Sequence, residues 1–187
     1  MLSAVKKNLI FILSILLIYY LLFMNNLIIT LYEEGFEYEI NQMIRRVYDE
    51  FVAPDYSDEG NLYFYEWIKP ENIAERQKEK RNILIAKVDN KLAGMIEIRQ
   101  NNRISLLFVD KQYQKHGIAR QLFERSLKNS LINDPDLNRY FVHASPYSIP
   151  VYKKLGFIET SEMMIQNGIS YLPMEMILSK YQPDASH

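Results

Sequence analysis

Three apolar runs, 83–88, 92–99 and 103–109, follow one another with only short polar breaks at Asp89-Asn90 and Asn101-Asn102. Asn and Asp enter the left-handed conformations of tight turns more readily than other residues with a side chain. Each pair therefore reads as a hairpin and the three runs as an antiparallel meander. The period then changes: Ile118, Ala119, Leu122, Phe123, Leu127 and Leu131 recur at the spacing of one helix face, and Asn133-Asp134-Pro135 ends the pattern. A short strand, 140–144, comes next. A strand–helix–strand connection within one sheet sets its two strands parallel, so residues 103–144 make the sheet mixed. The fold class that follows is α+β, a mixed, mostly antiparallel central sheet with helices on both faces.

The flanking segments supply the rest. Residues 27–32 read as a first strand, and Gly35 precedes a helix whose apolar positions Ile40, Met43, Ile44, Val47, Tyr48 and Phe51 form one buried face. Pro54 and the acidic stretch 55–60 end that helix. The aromatic segment 62–68 reads as a core or lid helix, and Pro70 opens a charged helix running to about 81. Ser148 is placed to cap a helix over 149–155, with Gly156 as its stop. Two last strands, 157–166 and 169–178, meet at the hairpin pair Asn167-Gly168.

Composition removes several chemistries. The chain has no cysteine, which excludes disulfides, thiolate zinc sites and a cysteine nucleophile. His116, His143 and His187 lack metal-ligand spacing, so no metal is expected. A net charge of -1 with dispersed Lys and Arg points away from nucleic acid.

The apolar run 9–23, preceded by Lys6 and Lys7, stands apart. Alone it falls short of the ~30 Å hydrocarbon core, and reaching Leu31 takes in Asn25 and Asn26. Basic residues before the run would keep the amino terminus inside and send the domain outside. Met24 stands directly before the first strand. Residues 1–23 are read as separate from a domain over 24–182, with Met24 favoured as the true start. Membrane association through residues 9–31 is the alternative.

The segment that carries chemistry is Leu107-Phe108-Val109, a short linker, then Gln114-Lys115-His116-Gly117-Ile118-Ala119-Arg120 opening the amphipathic helix. The first amides of a helix lack internal partners and sit at the positive end of its dipole. Gly117 allows close backbone approach and Ala119 obstructs little, so the turn is a socket for phosphate or pyrophosphate. A glycine near a helix start is often only a turn, and the motif alone is weak.

With its surroundings it resembles the GNAT superfamily of acetyl-CoA-dependent N-acetyltransferases. That family's pyrophosphate pattern, Gln or Arg, two residues, Gly, one residue, then Gly or Ala, is matched by Gln114, Gly117 and Ala119. The stretch from His143 and Ser145 through Tyr152-Lys153-Lys154-Leu155-Gly156-Phe157 looks like the family's second signature. The resemblance covers roughly 27–180.

It implies that acetyl-CoA is the co-substrate. Backbone amides from Lys115 to Ala119 would bind its pyrophosphate, and the edge of the strand ending at Val109 would pair with its pantetheine arm. Tyr152 would protonate the departing thiolate. An amine acceptor would attack directly, without a covalent enzyme intermediate. The base is open between Glu97, opposite Leu106 in the meander, and His143 at a strand end. Glu97 could equally be a solvated residue paired with Arg99 or Arg103, and His143 a hydrogen-bonded core histidine. Because acetyl-CoA is cytoplasmic, so is the catalytic domain in this reading, membrane-anchored if residues 1–23 are translated. The acceptor and the oligomeric state, a homodimer included, carry no readable motif. Another acyl group or acceptor, or a non-catalytic acetyl-CoA-binding module, are the other readings.

Overall fold

The computed structural model describes residues 6, 8–9, 11–15, 26–79 and 81–180. Most of the apolar run 9–23 lies outside them, and among the described residues no helix is long and apolar enough to cross a membrane. The elements are β1 (Leu27–Leu31), α1 (Glu37–Phe51), α2 (Asp58–Trp67), α3 (Pro70–Lys78), β2 (Asn82–Val88), β3 (Lys91–Arg99), β4 (Arg103–Val109), α4 (Ile118–Asn133), β5 (Arg139–Ala144), α5 (Ile149–Leu155), β6 (Ile158–Glu159), β7 (Met164–Gln166) and β8 (Ile169–Ile177). One sheet runs β1-β2-β3-β4-β5-β8-β6, with β7 also on β8. Among the described residues only β4 and β5 pair in parallel, as the strand–helix–strand unit requires.

Two apolar layers cover the sheet. On one face α4 and α5 bring Leu122, Phe123, Leu127, Tyr152 and Leu155 onto Ile96, Ile104 and Val142. On the other, α1 buries Ile40, Met43, Ile44, Val47 and Tyr48 against Ile83, Ile85, Met95 and Leu106. Tyr48 stacks on Phe64 of α2, with ring centroids 3.9 Å apart. The mixed sheet with helices on both faces is the expected architecture.

Several local expectations need correction. The acidic stretch after α1 is not one loop: Ser57 accepts the Gly60 amide at 3.1 Å, so Asp58 and Glu59 form the first turn of α2, where carboxylates offset the helix dipole. The charged helix stops at Lys78, before the expected 81. In the second hairpin the left-handed residues are Gln100 and Asn101, one position earlier than expected, because Arg99 pairs with Arg103 and three residues close the turn. Ser148 gives α5 no side-chain cap; it ends a 3-10 turn in right-handed backbone, and its hydroxyl donates to the Ser145 carbonyl. The run 157–166 is two strands. Ile158 pairs with Glu175 but Met164 with Tyr171, so the strand opposite β8 loops out beside Pro173, which has no amide to donate.

Two irregularities shape the centre of the sheet. Glu97 lies opposite Leu106 but Ile98 opposite Ile104, leaving Ser105 as an extra residue, a bulge in β4. Pairing of β4 with β5 covers only Arg103↔Phe141 and Ile104↔Val142. Beyond these pairs the β5-facing edge of β4 has no strand partner among the described residues.

Candidate active site

The gap where β4 and β5 part opens into a cleft of about 480 Å³, a volume typical of small-molecule sites. The end of β4 and the start of α4 form one wall, and the end of β5 with α5 forms another. Tyr48 of α1, Tyr56 in the connection between α1 and α2, and Phe64 of α2 face them.

The loop into α4 passes through left-handed backbone at Lys115 (φ 65°) and Gly117 (φ 81°). Gly117 is the N-cap and supplies no side-chain bond; the first amide to bond back is that of Gln121, to the Gly117 carbonyl at 3.1 Å. The amides of Ile118 and Ala119 thus have no acceptor within the helix. A Cβ at Gly117 would meet no protein atom within 4 Å, so the space beside it is open to a ligand. Consecutive amides in such a turn form an anion-binding concavity. Lys115, Arg120 and Lys154 line the same cleft, and among the described residues no Asp or Glu does. These features fit the pyrophosphate of a coenzyme.

Gln114 is a tie between walls. Its Nε2 donates to the Val109 carbonyl at 3.1 Å, and its Oε1 accepts from the Tyr147 hydroxyl at 3.2 Å. Tyr147 in turn stacks on Phe51 at the end of α1, centroids 4.7 Å apart, joining the two sides of the cleft. Arg120 donates to the Lys154 carbonyl at 2.9 Å and so links α4 to α5.

Tyr152 is 5% exposed and packs edge-on to Phe157. Its hydroxyl makes no hydrogen bond to another described residue. Burial first, and the nearby Tyr56 phenol second, hold its pKa well above the ordinary tyrosine value. Across from it, burial and Asp55 push Tyr56 up to about 12. His143 also lines the cleft, stacked on Tyr171 at 4.2 Å, with Arg103 Nη1 3.4 Å from its Nε2. Partial burial, then Arg103 and Arg99, pull its pKa below the ordinary histidine value.

Of the residues singled out in the sequence, Leu107, Phe108, Val109, Gln114, Lys115, Gly117, Ile118, Ala119, Arg120, His143, Ser145 and Tyr152 all line this one cleft. His116 and Glu97 do not. Glu97 is neither solvated nor paired with Arg99 or Arg103. It is fully buried, accepting from Arg76 at 3.2 Å and from Arg81 at 2.9 Å. A carboxylate whose two oxygens are both held by guanidinium donors is part of the scaffold rather than of the cleft wall. Sequence reasoning missed Tyr56 and took Tyr48 and Phe64 as packing residues. They come to the cleft only through the docking of α1 and α2, and no local motif marks them.

The sheet splits between two parallel strands, with a bare helix N-terminus at the mouth of the split and a buried phenol within. The family model described as the acetyltransferase (GNAT) domain matches residues 52–178. The chain belongs to the GNAT acetyltransferase family. Among curated proteins it is similar to UPF0039 protein C11D3.02c of Schizosaccharomyces pombe, 27% identical over 82 residues, which is 44% of this chain and 55% of that protein. The chain thus spans about half the length of that curated relative.

Among solved structures it is similar to a GCN5-related N-acetyltransferase from Rhodopseudomonas palustris, with TM-score 0.68 and 17% identity over 80% of this chain and 94% of that one. The PaiA N-acetyltransferase from Thermoplasma acidophilum, in complex with coenzyme A, gives 0.67 and 18%, covering 81% and 98%. The spermidine N-acetyltransferase from Vibrio cholerae, in complex with CoA and spermine, gives 0.58 and 18%, covering 83% and 98%. At these identities the likeness is one of fold.

Proposed function

We propose that the protein transfers the acetyl group of acetyl-CoA to a primary amine, by direct attack of the amine within a ternary complex. The observation that carries this reading is that the open backbone turn at Gly117 and the buried Tyr152 phenol lie on the walls of one continuous cleft. The amides of the α4 turn, with Lys115, Arg120 and Lys154, hold the pyrophosphate. The unpartnered edge of β4 beyond Ile104 offers backbone groups to the pantetheine arm and to the thioester carbonyl.

His143 takes the proton from the attacking ammonium. Its depressed pKa keeps it neutral at physiological pH, as a base must be. As the new N–C bond forms and the C–S bond breaks, Tyr152 gives its proton to the sulfur. Its raised pKa keeps that proton in place until then. The second proton lost by the nitrogen as the amide forms restores the phenol. Glu97 holds α3 to the sheet through Arg76 and does not act as the base. Dependence on acetyl-CoA, a cytoplasmic metabolite, puts the catalytic domain in the cytoplasm.

The test is thiol release from acetyl-CoA with a panel of primary amines, with mass spectrometry of the products. Acetylated amine in equal measure with free CoA supports the reading. Tight CoA binding with no turnover of any amine would leave a binding module instead.

A further inference from the structure

We propose that the acceptor carries an anionic group, a carboxylate or a phosphate, beside its amine, and that Arg103 and Arg99 bind it. This rests on the transferase reading above and specifies its second substrate.

Four arginines crowd the region where β3 and β4 meet α3. Two are compensated: Arg76 and Arg81 share Glu97, and Arg81 also pairs with Glu79. The other two lie opposite each other, Arg99 on β3 and Arg103 on β4. Arg99 forms no ion pair among the described residues, and its Nε is buried without a hydrogen-bond partner. Arg103 has no carboxylate either; it lies against the Phe141 ring and touches His143. Glu175 on nearby β8 is taken by Arg139 at 3.0 Å.

Two adjacent guanidiniums without an ion-pair partner among the described residues, one with a buried donor unmet, are costly. An oxyacid group removes that cost, because its oxygens accept the fork of guanidinium donors. Burial first, then Arg103 and Arg81, lower the Arg99 pKa, against Glu97 and Tyr63, which raise it.

The pair adjoins the reacting end of the cleft. Arg103 contacts His143, and Ser105, two residues along β4, lines the cleft with its Oγ buried and without a hydrogen bond. An anion that draws Arg103 to itself also frees the His143 Nε2 lone pair to take the proton of the amine. A cationic polyamine meets the opposite setting, since no carboxylate among the described residues lines the cleft.

The experiment measures thiol release from acetyl-CoA for each of the twenty amino acids against its own carboxamide. O-phosphoethanolamine against ethanolamine separates phosphate from carboxylate, and spermidine is the cationic arm. The same compounds are titrated into the protein–CoA complex by calorimetry. At least one anionic amine is expected to exceed its neutral partner in kcat/KM by about tenfold or more. Arg103→Gln brings that ratio to about one while the Kd for CoA stays unchanged, and Arg103→Lys retains part of it. Arg99→Gln acts likewise, with circular dichroism reporting that it folds. Preference for amides or spermidine overturns the inference, as does failure of every anionic compound to bind the CoA complex, while CoA binding leaves the transferase reading standing. Failure of CoA itself to bind removes both.

Discussion

At the scale of single residues, the cleft separates the proposed acid from the proposed base by environment. Tyr152 is enclosed by apolar neighbours and another phenol, so it stays protonated through neutral pH. Tyr152→Phe keeps the ring and its packing on Phe157 and removes the proton. Turnover near pH 7 is expected to fall by about 100-fold while the Kd for CoA stays within about twofold; equal loss of both would make the phenol a packing residue. As the proposed base, His143 acts only when neutral, and partial burial, then Arg103 and Arg99, hold its pKa below the ordinary histidine value. Activity is therefore expected to decline only at a pH below that at which an ordinary histidine protonates, and a kcat/KM profile of His143→Gln should lack that acidic limb. Glu97→Gln leaves Arg76 and Arg81 without their buried counter-charge, a cost of about 3–5 kcal/mol. Denaturant melts should show that loss, whereas the acidic limb of the pH profile should remain; its disappearance would return Glu97 to the role of base.

At the scale of elements, two glycines hold the walls in place. Gly117 has φ 81° at the start of α4, and its open side faces the cleft. Gly117→Glu puts bulk and negative charge at the proposed pyrophosphate site, and calorimetry should record a Kd for CoA at least about tenfold weaker. A Cβ at Gly60 would collide with the Gly168 carbonyl, which also accepts the Ser57 amide at 3.1 Å. Gly60→Ala is thus expected to lift the β7–β8 hairpin from α2 at a cost of about 1–3 kcal/mol. Denaturant melts should show that loss, while the Kd for CoA holds.

Elements of this kind were largely legible in the sequence: the meander, α4 with its glycine turn, and the Asn167-Gly168 hairpin each follow from local turn chemistry or period. The start of α2 was not, because an acidic run reads as loop until Ser57 is seen to cap it. Nor was the break at Pro173, which shows only once the partner strand is known.

At the scale of the whole molecule, the cleft exists because β4 and β5 pair for two residues and then separate. That length of pairing is set by the bulge at Ser105 and by helices packing on opposite faces, and neither is written in the strands themselves. The glycine turn and Tyr152 could be picked out one by one, but not the aromatic wall of Tyr48, Tyr56 and Phe64 that faces them. Nor could the two uncompensated arginines be found, since Glu97 takes its partners from α3 and Arg81 rather than from its neighbours on the sheet. The most direct measurement is a crystal structure of the protein with coenzyme A. The account predicts the pyrophosphate within hydrogen-bonding distance of the backbone amides at 117–119, and the sulfur beside the Tyr152 hydroxyl. A coenzyme bound elsewhere, or a sulfur directed away from that hydroxyl, would contradict it.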